Sequence, residues 1–288
     1  MENKPDPANF PQNLRWSGHT DRGRVRKNNE DSFLGLQFNA QEIHFLGKIG
    51  EGTLELGDFA FAVSDGMGGA NAGEFASRIT VDKITRLLPR SFRIEAQGMD
   101  LGFGDVLGEL FEEIHRALIF LGGSDEDCNG MGATLSLAWF RPGWMFFGHV
   151  GDSRIYYLPK TGGGIQQISH DDTFVGWQFR NGLITDHEAR NHPRRNVLQK
   201  ALGADHRYID PQIGAVGCEP GDLFLICSDG LTDGLHEDRL HQLLRFPTGV
   251  EGEMPPATRL VRQSVAQSGK DNTTALVVEI LASSEPKR

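Results

Sequence analysis

Short apolar runs recur along the chain and predict β-strands. They are rich in aliphatic, aromatic and β-branched residues. These runs are residues 58–63, 133–140, 144–150, 154–158, 222–227 and 274–281. The turn sequence RPG at 141–143 separates two of them by the length of a hairpin loop, which predicts an antiparallel pair.

Longer segments repeat apolar residues at intervals of three and four, the spacing of an amphipathic helix. Residues 104–123 follow this spacing, and two glycines at the end of the segment predict where the helix stops. A second helix is predicted from Ala72 and should end at Pro89. Two further helices are predicted at 233–245 and 256–267.

The order of these elements indicates the fold class. Strands follow one another through hairpin-length connections instead of alternating strictly with helices, which favours antiparallel sheets with helices packed outside them. No linker is long enough to divide the chain, so we expect one domain. The polar, proline-bearing N-terminus lacks the apolar stretch of a signal peptide and predicts a flexible lead at residues 1–14.

Composition narrows the classes of function. The 288 residues include 38% hydrophobic residues, enough for one large core, and no run approaches the roughly 20 apolar residues of a membrane span. The three cysteines, Cys128, Cys218 and Cys227, lack metal-type spacing and predict reduced thiols in the cytoplasm. A net charge of −10 with only short basic runs argues against a nucleic-acid binder and favours cations as ligands.

Acidic residues stand where predicted strands end or begin. Asp65 and Asp229 each follow an apolar run within the same tripeptide, Ser-Asp-Gly. Asp152 follows another run, Asp271 precedes the last one, and Glu30-Asp31 precedes an apolar segment near the N-terminus. Any one of these sites alone is explained by turn chemistry, because Asp-Gly is a common turn dipeptide.

Repetition of the pattern favours a metal site. Strand ends converge at one edge of a sheet, so the carboxylates placed there should converge too. Crowded carboxylates repel one another unless a cation holds them. Oxygen ligands without a Cys or His cluster indicate Mg²⁺ or Mn²⁺ rather than zinc. Gly66, directly after Asp65, leaves the backbone open for a carbonyl ligand.

Eight motifs in order, between about Trp16 and Ile280, resemble the bacterial type of the metal-dependent protein phosphatases, the type-2C serine/threonine phosphatases. The motifs are TDRGRVRKNNEDSF, FAVSDGMGGANAGEFAS, GMGATLSL, GHVGDSRIYYL, ISHDDTFV…GLIT, HPRRNVLQKALG, CSDGLTDGL and DNTTALVV. The resemblance implies an α/β sandwich, in which two central antiparallel sheets are flanked by helices on both outer faces. It also implies one catalytic domain at 15–282, followed by a tail at 283–288.

The resemblance implies a role for each acidic position. Asp65 is implied to bridge two core metal ions, with the Gly66 carbonyl on the first ion. Asp229 and Asp271 are implied to complete the second ion, and Asp152 with Asp229 to hold a weaker third one. Glu30 and Asp31 resemble outer-shell acids that act on metal-bound water, and Arg26 stands where the family binds phosphate.

These roles imply a serine/threonine protein phosphatase that uses Mn²⁺ or Mg²⁺. A hydroxide bridging the two metals would attack phosphorus directly. The expected partners are proteins phosphorylated by a serine/threonine kinase, and we expect a cytoplasmic monomer with no nucleic-acid or membrane partner. Two alternatives stay open, namely a family-shaped binding module with weak catalysis and a different two-metal hydrolase acting, for example, on nucleotides.

Three features depart from the family pattern or are unassigned. Met67 replaces the histidine that many members carry after the first metal-binding Asp-Gly, so the acid for the leaving group must come from elsewhere. Residues 38–57 are longer than the corresponding connection and have no predicted role. Residues 172–193 correspond to a flap beside the site, where Trp177, Phe179 and Arg180 are candidates for substrate contact or, equally, for packing.

Overall fold

A computed structural model describes residues 13–68, 72–96, 102–204, 206 and 208–282, with the backbone alone at 90–96. Residues 1–12 of the predicted lead and the predicted tail at 283–288 lie outside the described residues. Asn13 and Leu14 were predicted to be part of the lead, but they belong to the first strand, and Leu14 is fully buried.

Within the described residues, fourteen strands pair to form two sheets, and each strand pairing is antiparallel. The strands are β1 (Asn13–Asp21), β2 (Asp31–Phe38), β3 (Ile43–Phe45), β4 (Ile49–Thr53), β5 (Asp58–Met67), β6 (Gly132–Ala133), β7 (Leu135–Arg141), β8 (Trp144–Val150), β9 (Arg154–Leu158), β10 (Gln166–Gln167), β11 (Leu202–Gly203), β12 (Gln212–Gly217), β13 (Leu223–Cys227) and β14 (Thr273–Leu281). The smaller sheet has the order β10-β9-β13-β14-β1-β4. The larger one has the order β11-β6-β5-β7-β8-β12, with β2 paired to β5 and β3 to β2.

Eight helices complete the described part of the chain. They are α1 (Ala72–Ala96), α2 (Phe103–Gly122), α3 (Phe174–Arg180), α4 (Asp186–Asn191), α5 (Asp229–Gly234), α6 (Glu237–Arg245), α7 (Val250–Glu253) and α8 (Pro256–Gln267). None of these helices combines the length and apolar character that a membrane span requires.

Three apolar layers hold the sheets and helices together. Strand β14 shows how one strand serves two of them, because its successive side chains point to opposite faces. Leu276 and Val278 pack between the two sheets, whereas Val277 packs against α6 and α8. On the other side, the apolar face of α2 packs on the larger sheet against Leu137 and Trp139. The order of layers is therefore helix, sheet, sheet, helix, as expected.

Most predicted elements are present, and the hairpin at RPG pairs β7 with β8. The predicted helix end at Pro89 was wrong, since α1 continues through this proline to Ala96. Proline removes one N–H donor, but its fixed φ is close to the helical value, so a helix can continue past it when packing compensates for the lost hydrogen bond. The predicted helix at 233–245 is divided into α5 and α6.

The unassigned residues 38–57 form β3 and β4. Strand β3 extends the larger sheet beside β2, and β4 extends the smaller sheet beside β1. This segment therefore crosses from the edge of one sheet to the edge of the other.

Candidate metal centre

A polar cleft of about 230 Å³ lies where the ends of several strands meet. Most of the described residues around it come from the β1–β2 loop, the end of β5, the loop after β8, the start of α5 and the loop before β14; the others come from the β6–β7 connection and from the segment between α4 and β11. Together they are Arg26, Glu30, Asp65, Gly66, Met67, Gly68, Thr134, Asp152, Asn196, Leu198, Asp229 and Asp271. Seven of the eight residues predicted for the site line this cleft; the eighth, Asp31, is buried opposite Asp65 on the neighbouring strand.

The close approach of α1 to β5 explains the glycine after Asp65. A Cβ atom on Gly66 would collide with the carbonyl oxygen of Gly73 in the first turn of α1. Any other residue would push the helix away from the strand. Glycine therefore keeps the backbone of residue 66 in the wall of the cleft, where a carbonyl ligand was predicted.

The serine of each Ser-Asp-Gly has a structural role. The Ser64 hydroxyl donates to the carbonyl of Thr134 at 2.7 Å, which ties the end of β5 to the start of β7. The Ser228 hydroxyl donates to Oδ2 of Asp31 at 2.7 Å and accepts from the backbone N–H of Thr274 at 3.0 Å. Each serine thus fixes the backbone directly before its aspartate.

Asp31 has one oxygen that is fixed and one that is not. Its Oδ2 accepts from Ser228 and, at 2.6 Å, from the hydroxyl of Thr274. Its Oδ1 is buried and has no hydrogen-bond partner. Because buried polar atoms are rarely left unpaired, Oδ1 is the atom of Asp31 that is available to a ligand or a proton.

One hydroxyl connects the strand that carries Asp65 with the loop that carries Asp152. The Thr134 Oγ1 accepts from the backbone N–H of Asp65 at 3.0 Å and lies 2.6 Å from the hydroxyl of Ser153. The loop is held on its other side by Gly151, which has a φ of 111° and donates to the Asp172 carboxylate at 3.1 Å. The spacing between the two aspartates is therefore set by buried hydrogen bonds.

The Arg26 guanidinium lies at the edge of the cleft. It donates to Oδ2 of Asp271 at 2.6 Å, and its side chain is about half exposed. The hydrogen bond to Asp271 raises the pKa of Arg26, so the side chain stays charged. The predicted phosphate-binding arginine and a predicted metal ligand are thus direct partners.

Burial and neighbouring charges raise the pKa values of four carboxyl groups, Asp31, Asp65, Asp152 and Asp229. Burial is the largest cause for Asp65 and Asp229, whose pKa values lie well above the ordinary value, and the nearby carboxylates add to it. Burial, followed by the charge of Asp171, raises the pKa of Asp152 to about 7. Burial raises the pKa of Asp31 to about 6. When all of these groups are ionised they therefore repel one another, unless protons or cations are present.

The side chains present fit divalent cations. The charged ligands that they offer are oxygens, and the buried Oδ1 atoms of Asp31 and Asp229 have no partner. No group of three or more acidic, histidine or cysteine side chains in the described part of the chain forms a ready-made metal cage. An ion here would be held by one or two carboxylates and would keep several water ligands, which is the usual coordination of Mg²⁺.

Sequence reasoning missed four residues of the cleft, Gly68, Thr134, Asn196 and Leu198. All four lie within the motifs given above, but the cleft that they line joins parts of the chain that are distant in sequence. The Thr134 hydroxyl, for example, lies 2.6 Å from that of Ser153 in the loop after β8. Asn196 and Leu198 reach the cleft because Leu198 forms a bridge with Thr173, and Gln199 N–H donates to the Asp172 carbonyl at 2.7 Å. Such contacts leave no periodic signal in the sequence.

The family model for protein phosphatase 2C matches residues 50–263. The chain belongs to the protein phosphatase 2C family. The serine/threonine protein phosphatase PstP of Mycobacterium tuberculosis is 31% identical over 271 residues, which are 93% of this chain and 45% of PstP. The chain thus spans less than half the length of that relative.

Two further comparisons cover nearly the whole of both chains. The serine/threonine phosphatase stp of Listeria monocytogenes is 30% identical over 265 residues, 90% of this chain and 93% of stp. The crystal structure of the PstP catalytic domain in complex with two manganese ions matches with a TM-score of 0.70 at 28% identity, covering 94% of this chain and 99% of that one.

Within this protein phosphatase 2C chain, the flap predicted at 172–193 contains α3 and α4. Trp177 and Phe179 are 45% and 46% exposed, and Trp177 stacks on Phe174 at 6.0 Å. Arg180 donates to the backbone carbonyl of Asp171 at 2.8 Å. None of the three predicted contact residues, Trp177, Phe179 and Arg180, lines the cleft.

Proposed function

We propose that the chain hydrolyses phosphoserine and phosphothreonine in proteins phosphorylated by a serine/threonine kinase, with two Mn²⁺ or Mg²⁺ ions and a weaker third ion. The observation that supports this most directly is the convergence of Asp65, Asp152, Asp229 and Asp271, from the ends of four strands, on one cleft. Arg26 lines the same cleft and supplies a fixed positive charge for an incoming phosphate.

The proposed ligands follow from this placement. Asp65, the Gly66 carbonyl, Asp229 and Asp271 would hold the two core ions, and Asp152 with Asp229 would hold the third. When bound, divalent ions neutralise the phosphate dianion and acidify the water that attacks phosphorus. The same positive charge would offset the burial and the repulsion that raise the pKa values of Asp65 and Asp229.

Asp31 and Glu30 are proposed to accept protons from the attacking water. The hydroxyls of Ser228 and Thr274 fix Oδ2 of Asp31, which leaves Oδ1 free to accept. Glu30 lines the cleft, and its backbone N–H donates to the Asn272 side chain at 2.7 Å. The Asp31 carboxylate and the Glu30 backbone are therefore held in place by groups that take no part in the chemistry.

Arg26 is proposed to bind the phosphate. Asp271 now accepts from Arg26, and if it held a cation instead, the guanidinium would be free to donate to two phosphate oxygens. Its planar fork matches a phosphate in a way that a lysine ammonium does not.

The direct test measures hydrolysis of a phosphothreonine peptide, a phosphotyrosine peptide and p-nitrophenyl phosphate before and after chelation with EDTA. We expect chelation to stop hydrolysis of the phosphothreonine peptide, and added Mn²⁺ or Mg²⁺ to restore it, because the ligands are oxygens. Full activity after exhaustive chelation contradicts the metal mechanism. Tight Mn²⁺ binding without any hydrolysis would instead support the binding-module alternative.

Replacing Arg26 with alanine should raise the KM for a phosphothreonine peptide by about tenfold, roughly the cost of one charge-assisted hydrogen bond. The kcat should fall less, because the guanidinium binds the phosphate similarly in the ground state and the transition state. Arg26→Lys is the matched control and should fall between wild type and Arg26→Ala, since it keeps the charge and loses the fork. An unchanged KM in Arg26→Ala would remove this residue from the phosphate site.

A further inference from the structure

The loop at residues 22–28 is held firmly beside the cleft by Asn272. The side-chain nitrogen of this buried residue donates to the carbonyl oxygens of Arg22 and Asn28, each at 2.9 Å. Asn272 directly follows Asp271, which lines the cleft. Both ends of the loop are therefore tied to the backbone that carries a proposed metal ligand.

The same loop also packs against the segment before β14. The backbone N–H of Arg24 donates to the carbonyl of Gly269 at 2.7 Å, and its guanidinium donates to the carbonyl of Ser268 at 2.7 Å. Gly23 has a φ of 77°, and a Cβ atom there would collide with the carbonyl oxygen of Asp271. The two segments thus form one continuous surface, residues 22–27 and 268–271, which we call the basic rim.

The basic rim carries four exposed cations whose charges are not compensated. Arg22, Arg24, Lys27 and Lys270 are all exposed, and none forms an ion pair with a carboxylate of the described residues. Arg22 and Arg24 donate to backbone carbonyls, which carry no net charge. Asp21, the chain neighbour of Arg22, accepts from the N–H of Gly23 at 2.7 Å.

The positive charge of the basic rim contrasts with the acidic character of the chain around it. The whole chain has a net charge of −10, and the cleft beside the rim is lined by carboxylates. Arg26 of the same loop is paired with Asp271, which shows that a carboxylate can approach the loop closely. Four unpaired cations next to the entrance of an acidic cleft are therefore available to a ligand that is itself acidic.

We infer that the basic rim selects phosphoproteins that carry acidic residues beside the phosphorylated serine or threonine. Lys27 and Lys270 are the direct chain neighbours of Arg26 and Asp271, which line the cleft. A peptide whose phosphate enters the cleft therefore brings its flanking residues near both lysines. Acidic flanks gain from these charges and basic flanks are repelled. The inference rests on the proposed function, because it concerns the substrate of that cleft.

The test uses three phosphothreonine peptides that differ only in their flanking residues, which are Glu, Gln or Lys. At low ionic strength the wild type should show a kcat/KM about fivefold higher for the Glu peptide than for the Gln peptide, since exposed ion pairs are individually weak. The Lys peptide should be the slowest. The preference should shrink as salt is added, because exposed charges are screened.

Two pairs of substitutions assign the effect to the basic rim. Lys27→Gln combined with Lys270→Gln should bring the Glu-to-Gln ratio close to one, while kcat for p-nitrophenyl phosphate, which has no flanking residues, stays at the wild-type value. The matched control is Lys83→Gln with Lys160→Gln, which changes the net charge equally. The backbone N–H of Lys160 donates to Asp222, which directly precedes β13, whereas Asp229 lies beyond the other end of that strand. The control should keep the wild-type ratio.

Three results would overturn the inference. The first is a wild-type ratio of one, and the second is a ratio that the Lys27→Gln, Lys270→Gln protein retains. The third is stronger competition from a short oligonucleotide than from an unphosphorylated Glu peptide, which would assign the rim to nucleic acid. Failure of the wild type to hydrolyse any of the three peptides in Mn²⁺ would count against the proposed function itself, whereas equal hydrolysis of all three sinks the substrate preference alone.

Discussion

Asp229→Asn is expected to lower kcat by about 10³-fold, a loss typical for removal of a main electrostatic contact in an active site. The same substitution should raise the melting temperature of the metal-free protein. Burial, together with the charges of neighbouring carboxylates, raises the pKa of Asp229 well above the ordinary value, so its charge opposes folding when no cation is present. Asparagine keeps the shape of the side chain and removes that charge.

The gain in stability should depend on pH in a defined direction. Burial raises the pKa values of Asp31 and Asp152 to about 6 and about 7, whereas an aspartate in the unfolded chain has a pKa of about 3.9. The folded metal-free protein therefore binds more protons than the unfolded chain between about pH 4 and 7, and its free energy of unfolding falls as the pH rises through that window. The gain from Asp229→Asn should accordingly be larger at pH 7 than at pH 5.

Thermal unfolding in EDTA, Mn²⁺ titration by calorimetry and steady-state kinetics check both halves of this expectation. Asp65→Asn should behave in the same way, because Asp65 is buried in the same group of charges. Asp238→Asn, an exposed substitution in the first turn of α6, is the control and should change neither property much. A folded Asp229→Asn protein with wild-type Mn²⁺ affinity and turnover would show that Asp229 is not a ligand.

The sequence was sufficient to predict the acidic centre because strand ends and carboxylates are both local signals. Asp65 and Asp229 each end an apolar run, and a run of that kind predicts a strand without knowledge of its partners. The convergence of the aspartates then follows from the sheet edge. The two serines of Ser-Asp-Gly illustrate the limit, since their partners, Thr134 and Asp31, lie far away in sequence.

Elements that depend on distant contacts could not be predicted in this way. Residues 38–57 have weak local patterning, and β3 and β4 exist because β2 and β1 offer them free edges. Helix α1 continues past Pro89 although the local rule predicts an end there, and Leu88, directly before it, is fully buried in the core. Asn196 lines the cleft through a bridge between Leu198 and Thr173. Tertiary packing decided each of these cases.

Asp152→Ala should lower the kcat of two substrates to different extents, because their leaving groups differ. Hydrolysis of a phosphothreonine peptide expels an alkoxide that needs a proton, whereas p-nitrophenolate is a weak base and hardly needs one. Met67 lines the cleft where many family members carry a histidine, and a thioether donates no proton. The proton must therefore come from another group. In the proposed site Asp152 would hold a cation, which would supply the acid.

We expect Asp152→Ala to lower kcat for the phosphothreonine peptide by about 10²-fold, the usual scale of general acid catalysis, and kcat for p-nitrophenyl phosphate much less. Asp152→Asn, which keeps the shape without the charge, should match Asp152→Ala. Met67→His introduces a proton donor in the same cleft and should partly restore peptide hydrolysis in the Asp152→Ala background. The kcat of both substrates is measured for the wild type, each single variant and the double variant, with Mn²⁺ affinity of the core site as a control. Equal losses on both substrates would mean that Asp152 supports the core site as a whole and has no special part in protonating the leaving group. Such support is structurally reasonable, because Ser153 and Thr134 link the loop of Asp152 to the backbone of Asp65.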